Sequence, residues 1–212
     1  MYVFVQLCGK IRQDRSGGDR PVPRGTELRG ILNVPGLLCD HMAHQHSSGG
    51  GYEAFAATAA EYGVDVRRVS PEEAEAAIEG AVDQPAVGAP LPWDGIALPA
   101  AVTTDPTPAE LSAAATGVTA ASLAIADYGS VVLRAGEHGS EPISLFTDHH
   151  VAVLNEDDIV PDMESAFAWL GGTLRESRDS AIIATGPSAT ADMGALVQGA
   201  HGPNTVEVLV VA

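Results

Sequence analysis

The chain has 212 residues (21.8 kDa), 45% apolar and 18% charged, which at roughly 100–200 residues per domain is enough for one buried core. No apolar run reaches the ~18 residues that cross a bilayer, so a membrane-spanning chain is not expected. Twenty-eight acids against eleven bases give a net charge of −17, which excludes a surface built to neutralise nucleic-acid phosphates, and the apolar fraction excludes disorder as the cause of that charge.

The charge is unevenly placed. Residues 1–50 hold six bases and four acids, whereas residues 51–212 hold five bases and 24 acids, a net of −19. The first segment is rich in Gly, Pro and Arg, shows little periodicity and ends in the loop-like run from Ser47 to Gly51. It reads as a disordered extension or as upstream sequence from a mis-assigned start, and its opening MYVFVQLCGK lacks the cationic start and long apolar centre of a secretory signal. Cys8 and Cys39 both fall within it and form no redox or metal motif. Asp40, His41, His44 and His46 resemble a chelating cluster, but their place in this tail makes adventitious binding the better reading, and no metal site is expected. The acidic remainder fits a cytoplasmic protein adapted to salt: at molar salt the Debye length falls to ~3 Å and self-repulsion is screened.

From Gly51 the pattern becomes regular. Tyr52 to Tyr62 reads as a helix with Phe55, Ala59 and Tyr62 on one face and Gly63 as its stop. Val64 to Val69 alternates like a half-buried strand. Ser70-Pro71-Glu72-Glu73 is a capping box with proline at the first helical position, opening a helix to Ala81. Ala86 to Gly88 reads as a short strand, with another expected between Gly95 and Val102. Thr107-Pro108-Ala109-Glu110 repeats the capping pattern for a helix to about Ala115, and a further helix is predicted from Val118 to Asp127.

Strands are expected at Ser130 to Leu133, His150 to Leu154, Ala181 to Ala184 and Thr205 to Val211, and a helix from Pro161 to Leu170 ending at Gly171-Gly172. Helices alternating with short apolar strands indicate a layered α/β domain over residues 51–212 with a largely parallel sheet.

In such sheets ligands sit beyond the carboxyl ends of the strands. The run from Thr185 through Gly186, Pro187, Ser188 and Thr190 to Asp192 and Met193 follows the strand at Ala181 in the way such a site requires. Its small residues and hydroxyls allow backbone N–H groups to approach an anion, although it is no P-loop, lacking the lysine. Gly199-Ala200-His201-Gly202-Pro203 follows, a histidine held between glycines. Asp192 and His201 are the candidate catalytic pair, the carboxylate fixing the imidazole for acid–base work. Equally, Ser188, Thr190 and Asp192 would cap a helix and His201 close a turn. Gly129, at a turn where φ > 0 is expected, and Ser130 after it are further ligand-binding candidates. His149 and His150 open a strand, so alternation sends them to opposite faces and joint chelation is not expected. Ser188 as a hydrolase nucleophile is disfavoured without a G-x-S-x-G elbow.

The run from Gly186 to Met193, followed by the run from Gly199 to Pro203, is similar to the C-terminal motif of the lactate-utilisation protein C family, the LUD domain. Ala124 to Leu133, with Asp127-Tyr128-Gly129-Ser130 at its centre, resembles that family's "IAETGT" helix-turn-strand, and His149 to Val153 resembles the strand after it. The resemblance extends from Thr116 to Val211. It implies a three-layer Rossmann-like α/β sandwich similar to the sugar-phosphate isomerase and coenzyme A transferase superfamily. It also implies a part in oxidising L-lactate to pyruvate beside iron–sulfur partner proteins, with no cofactor in this chain. Gly186, Pro187, Ser188, Thr190, Asp192, Gly199, His201, Gly202 and Pro203 match the family motif. Ala189 stands where the family has arginine and Gly194 where it has an acid, so an anionic substrate would rely on backbone N–H groups, His201 or Arg134. The alternative is a free-standing enzyme or binding protein for a small anion, a coenzyme A thioester or sugar phosphate, using Asp192 and His201.

Overall fold

The computed structural model describes residues 51–136, 138–177, 180–190, 197–199 and 201–212. In chain order the elements are α1 (Tyr52–Glu61), β1 (Asp65–Val69), α2 (Ala74–Ala81), β2 (Ala86–Gly88), β3 (Val102–Thr104), α3 (Pro108–Ala113), β4 (Thr116–Ala120), β5 (Leu123–Ile125), β6 (Ser130–Arg134), α4 (Ser140–Phe146), β7 (His149–Asn155), β8 (Ile159–Val160), α5 (Met163–Ser177), β9 (Ala181–Thr185), β10 (Ala189–Thr190), β11 (Val197–Gln198) and β12 (Thr205–Val211). Among the described residues no helix is long and apolar enough to cross a membrane.

Six strands pair in the order β1-β12-β7-β4-β2-β3, every pair parallel. Both faces are covered, which is why β7 and β12 read as continuous apolar runs. On one face Ala74 and Ile78 of α2 pack on Val118, Val151, Val153 and Leu209. On the other, Phe55 and Ala59 of α1 meet Ala152, Leu154, Val206 and Val208, and α4 lies over β4 at Gly117, where a Cβ would come within 2.6 Å of the Ile143 carbonyl. Burying a side chain such as Ile78 is worth about 1.5–3 kcal/mol. Helix, parallel sheet and a second covered face make the expected α/β sandwich.

A second sheet, β8-β5-β6-β9, adds to that inner layer. The chain crosses between sheets within two residues: Ala121 N–H donates to the Val153 carbonyl at 2.7 Å in the first sheet, and Ser122 N–H to the Val132 carbonyl at 2.9 Å in the second. Ala124, Val131, Leu133 and Ala184 face α1, while Leu123, Ile125, Val132 and Ile183 face Ala166 and Leu170 of α5.

Several elements differ from the sequence reading. The segment predicted as a helix from Val118 to Asp127 is strand, crossing and strand, followed by one 3₁₀ turn at Ala126–Tyr128. Its alanines suit a helix, but β4 has to fill the gap between β2 and β7, and tertiary pairing outweighs a propensity of tenths of a kcal/mol per residue. For the same reason the "IAETGT"-like segment is strand-turn-strand. α5 runs through Gly171 and Gly172 because Leu170 and Leu174 continue its apolar stripe. α2 begins at Ala74: Glu73 binds back to the Ser70 N–H at 3.3 Å and hydroxyl at 3.1 Å, but residues 71–73 form a tight turn before it. The strand expected between Gly95 and Val102 is confined to Val102–Thr104.

Candidate functional site

The segment 185–204 leaves the second sheet, because β9 pairs antiparallel with β6 and not within the parallel sheet. It ends at the amino terminus of β12. The expectation that it lies beyond the carboxyl ends of the parallel strands is therefore corrected: the segment joins that sheet at its amino end.

At its start, Thr185 and Ser130 are register partners with their hydroxyl oxygens 2.7 Å apart, and Ser130 also donates to the Tyr128 carbonyl at 3.3 Å. Gly129 (φ +56°) and Gly186 (φ +63°) both take the left-handed conformation. A Cβ on Gly129 would stand 2.5 Å from the Ala59 nitrogen, and one on Gly186 would stand 2.9 Å from Tyr62. Both glycines thus let α1 lie flat against the second sheet, and the backbone of α1 fills the space beside them.

Farther on, Ser188 is buried; its N–H donates to the Pro203 carbonyl at 2.9 Å and its carbonyl accepts the Gly199 N–H at 2.8 Å. Between these anchors, Ala189 pairs with Gln198 and Thr190 with Val197 in a two-stranded antiparallel ladder. Asp192 belongs to residues 191–196, outside the described residues. Gly199 (φ +74°) takes the left-handed conformation, and a Cβ there would displace the Asn204 side-chain amide. His201 is exposed, Gly202 half-buried and Pro203 buried.

The end of the segment is tied to the residue before β7. Asn204 N–H donates to the Asp148 carbonyl at 2.7 Å, Thr205 N–H to the same carbonyl at 3.2 Å, and Asn204 Nδ2 to Asp148 Oδ1 at 3.2 Å. Sequence reasoning passed over Asn204 and weighed Asp148 only beside the histidines. The signal was available: a side-chain amide just before a closing strand, and a carboxylate just before the strand it joins. The structure thus brings Ser188, Gly199 and Pro203 together by direct backbone hydrogen bonds beside the Asp148–Asn204 anchor, and brings Gly129, Ser130 and Gly186 together against α1. Arg134 stands at the other end of β6 from Ser130, about 13 Å along the strand.

His149 and His150 part as alternation requires: His149 is half-buried and His150 fully buried. His150 Nε2 lies 2.8 Å from the Thr119 hydroxyl, and its Nδ1 has no hydrogen-bond partner. Burial first, then the charge of His149, lowers the His150 pKa to about 3, so its ring is neutral. Among the described residues no cluster of three or more His, Cys, Asp or Glu could hold a metal, and Asp40, His41, His44 and His46 lie outside them.

Comparison with known proteins agrees with this architecture. The LUD domain family model matches residues 100–211. The chain is 32% identical over 162 residues to a protein named lactate utilization protein C from Deinococcus radiodurans, covering 71% of this chain and 74% of that protein. A protein of the same name from Bacillus velezensis is 36% identical over 91 residues, 41% of this chain and 38% of that protein. The crystal structure of a DUF162 family protein from Deinococcus radiodurans superposes with a TM-score of 0.60 at 25% identity, covering 76% of this chain and 95% of that one. With the family match extending over the last β-strands and the glycine–histidine segment that Asp148 anchors, the chain belongs to the LUD domain family.

Proposed function

We propose that this chain serves lactate utilisation, as a component of a system that oxidises L-lactate to pyruvate with iron–sulfur partner proteins, in the cytoplasm of a salt-adapted cell. The observation that carries the reading is the 32% identity, over 71% of the chain, to a protein named for lactate utilisation. Oxidation of lactate removes two electrons and two protons, from C2 and its hydroxyl, so the system needs an electron acceptor. A four-thiolate cluster does not fit here, because the chain has two cysteines, Cys8 and Cys39, and the iron–sulfur chemistry is therefore assigned to partners.

In this reading the surface at the amino end of the parallel sheet is the working one. His201 is exposed there, and the Asp148–Asn204 anchor ties down the end of its loop. Ser188, Gly199, Gly202 and Pro203 hold the His201 loop at that surface, Pro187 and Thr190 lead into it, and Gly129, Ser130 and Gly186 seat α1 against the second sheet behind it; the role assigned to Asp192 is that of the acid partner of His201. A second reading, a free-standing enzyme or binding protein for a coenzyme A thioester or sugar phosphate, is favoured by that same exposed imidazole.

Lactate-dependent dye reduction in high-salt extracts of a deletion strain tests both, with complementation by wild type or His201→Ala at matched abundance. Loss of activity in the deletion strain, restored by wild type alone, is expected. Undiminished lactate oxidation in the deletion strain would remove the lactate role, and saturable binding of a phosphate or thioester by the purified chain, abolished in His201→Ala, would then establish the second reading.

A further inference from the structure

The carboxyl ends of β1, β12 and β7 open onto a cavity of about 650 Å³, within the size range of small-molecule sites. It lies at the opposite end of the parallel sheet from the glycine–histidine segment, and at the end where open α/β sheets take their ligands. One wall is apolar, made by Trp93, Ile96, Pro71 and Val211, with Trp93 and Ile96 packed on the same core as α2. A tight turn presents that wall: Ile96 N–H donates to the Trp93 carbonyl at 3.4 Å, with Gly95 at φ +85° inside the turn. Asp94, exposed, is the remaining inner residue of the turn. The polar side comes from the 3₁₀ turn after β7, ordered by Asn155 Oδ1, which accepts the Asp157 N–H at 2.9 Å.

The charges select the ligand. Arg68 is the cation of this lining, and it is already committed: Nε donates to Glu156 Oε2 at 2.6 Å, Nη2 donates to Oε1 of the same carboxylate, and the guanidinium lies 5.2 Å from the Tyr52 ring centroid. The carboxylate takes the Nε–Nη2 edge and neutralises the guanidinium charge, which weakens its pull on an incoming anion. Asp94 and Asp157 have no ion-pair partner among the described residues. Burial first, and the charge of Asp157 second, raise the neighbouring Asp158 carboxyl above its usual range.

We propose that this cavity binds a small organic cation bearing a flat apolar group, the ring resting on Trp93 and Ile96 and the ammonium answered by Asp94 and Asp157. Trp93 adds the attraction of an aromatic face for a cation. The proposal does not depend on the lactate role.

The test titrates the full chain with three near-isosteric probes, tyramine (cation), tyrosol (neutral) and 4-hydroxyphenylacetate (anion), following the Trp93 indole N–H by NMR with Trp169 as internal control. A saturable shift of Trp93 alone by tyramine is expected, with tyrosol at least tenfold weaker and the anion without effect. Asp94→Asn/Asp157→Asn, at exposed or rim positions, should bring tyramine down to the affinity of tyrosol while thermal unfolding is unchanged. Glu156→Gln, which frees the Arg68 fork, should let the anion bind. Absence of a saturable Trp93 shift, equal binding of tyramine and tyrosol, or full tyramine affinity in the double variant would overturn the proposal.

Discussion

At the scale of single residues, the glycines and the buried histidine have different legibility. Gly129 was readable as a left-handed turn residue, because a helix-like run and an apolar strand meet there; what stands opposite it was not. The Ala59 backbone is seventy residues away in sequence and 2.5 Å from where a Cβ would be. Gly129→Ala should therefore cost about 2–4 kcal/mol, from φ strain plus the forced retreat of α1, read as a lowered urea midpoint with unchanged slope. A cost under 1 kcal/mol would mean that α1 yields freely. His150 was readable as the inward partner of His149, but its contact with Thr119 needs the pairing of β4 with β7, in a stretch that reads as helix. Its folded pKa, about 3, lies below the ordinary value of 6.5, so the unfolded chain binds the extra proton between those two pH values. Stability is thus intact above 6.5 and falls as pH drops below it, with a slope of up to about 1.4 kcal/mol per pH unit. Denaturation of His150→Gln between pH 6.5 and about 5, a range largely above carboxylate titration, should show that slope removed.

At the scale of elements, local signals succeeded where local interactions form the element. The Thr107 capping box is complete: Glu110 N–H donates to Thr107 Oγ1 at 3.3 Å, and Thr107 N–H donates to the Glu110 carboxylate at 2.8 Å. That second bond, with the Thr107 hydroxyl, holds the Glu110 carboxyl below its usual range. No residue of α3 is fully buried, and half-buried Leu111 links it to the core, against Val87, Ala89, Ala114 and Ile143, so the cap supplies much of what holds the helix. Thr107→Ala should cost about 1 kcal/mol locally, seen as roughly fivefold faster amide exchange within α3 and almost no change in global unfolding. A shift in the global midpoint with unaltered α3 exchange would contradict this. Elements that depend on distant partners were misread instead. β4 and β5 carry alanines suited to a helix, and become strands because β2, β7 and β6 offer ladders. Gly171 and Gly172 read as a stop, yet α5 continues because Leu174 still has core to cover.

At the scale of the whole molecule, the excess of acids makes stability depend on ionic strength. With 24 acids and five bases after residue 50, self-repulsion opposes the compact state in dilute buffer. The thermal midpoint should rise by about 5 °C or more between 0.1 and 2 M KCl, and a flat or falling midpoint would remove the reading of salt adaptation. Composition, charge, the α/β alternation, the apolar strands of the parallel sheet and the family motifs were all determined by the sequence alone, since each is a local pattern or a sum over residues. Only the tertiary structure decided that β9 joins a second sheet, that the glycine–histidine segment therefore meets the parallel sheet at its amino end, and that Asp148 and Asn204 hold it there. The reason is physical: strand order and sheet membership depend on hydrogen bonds between residues far apart in the chain, and side-chain periodicity records which faces are buried, not which strand lies alongside.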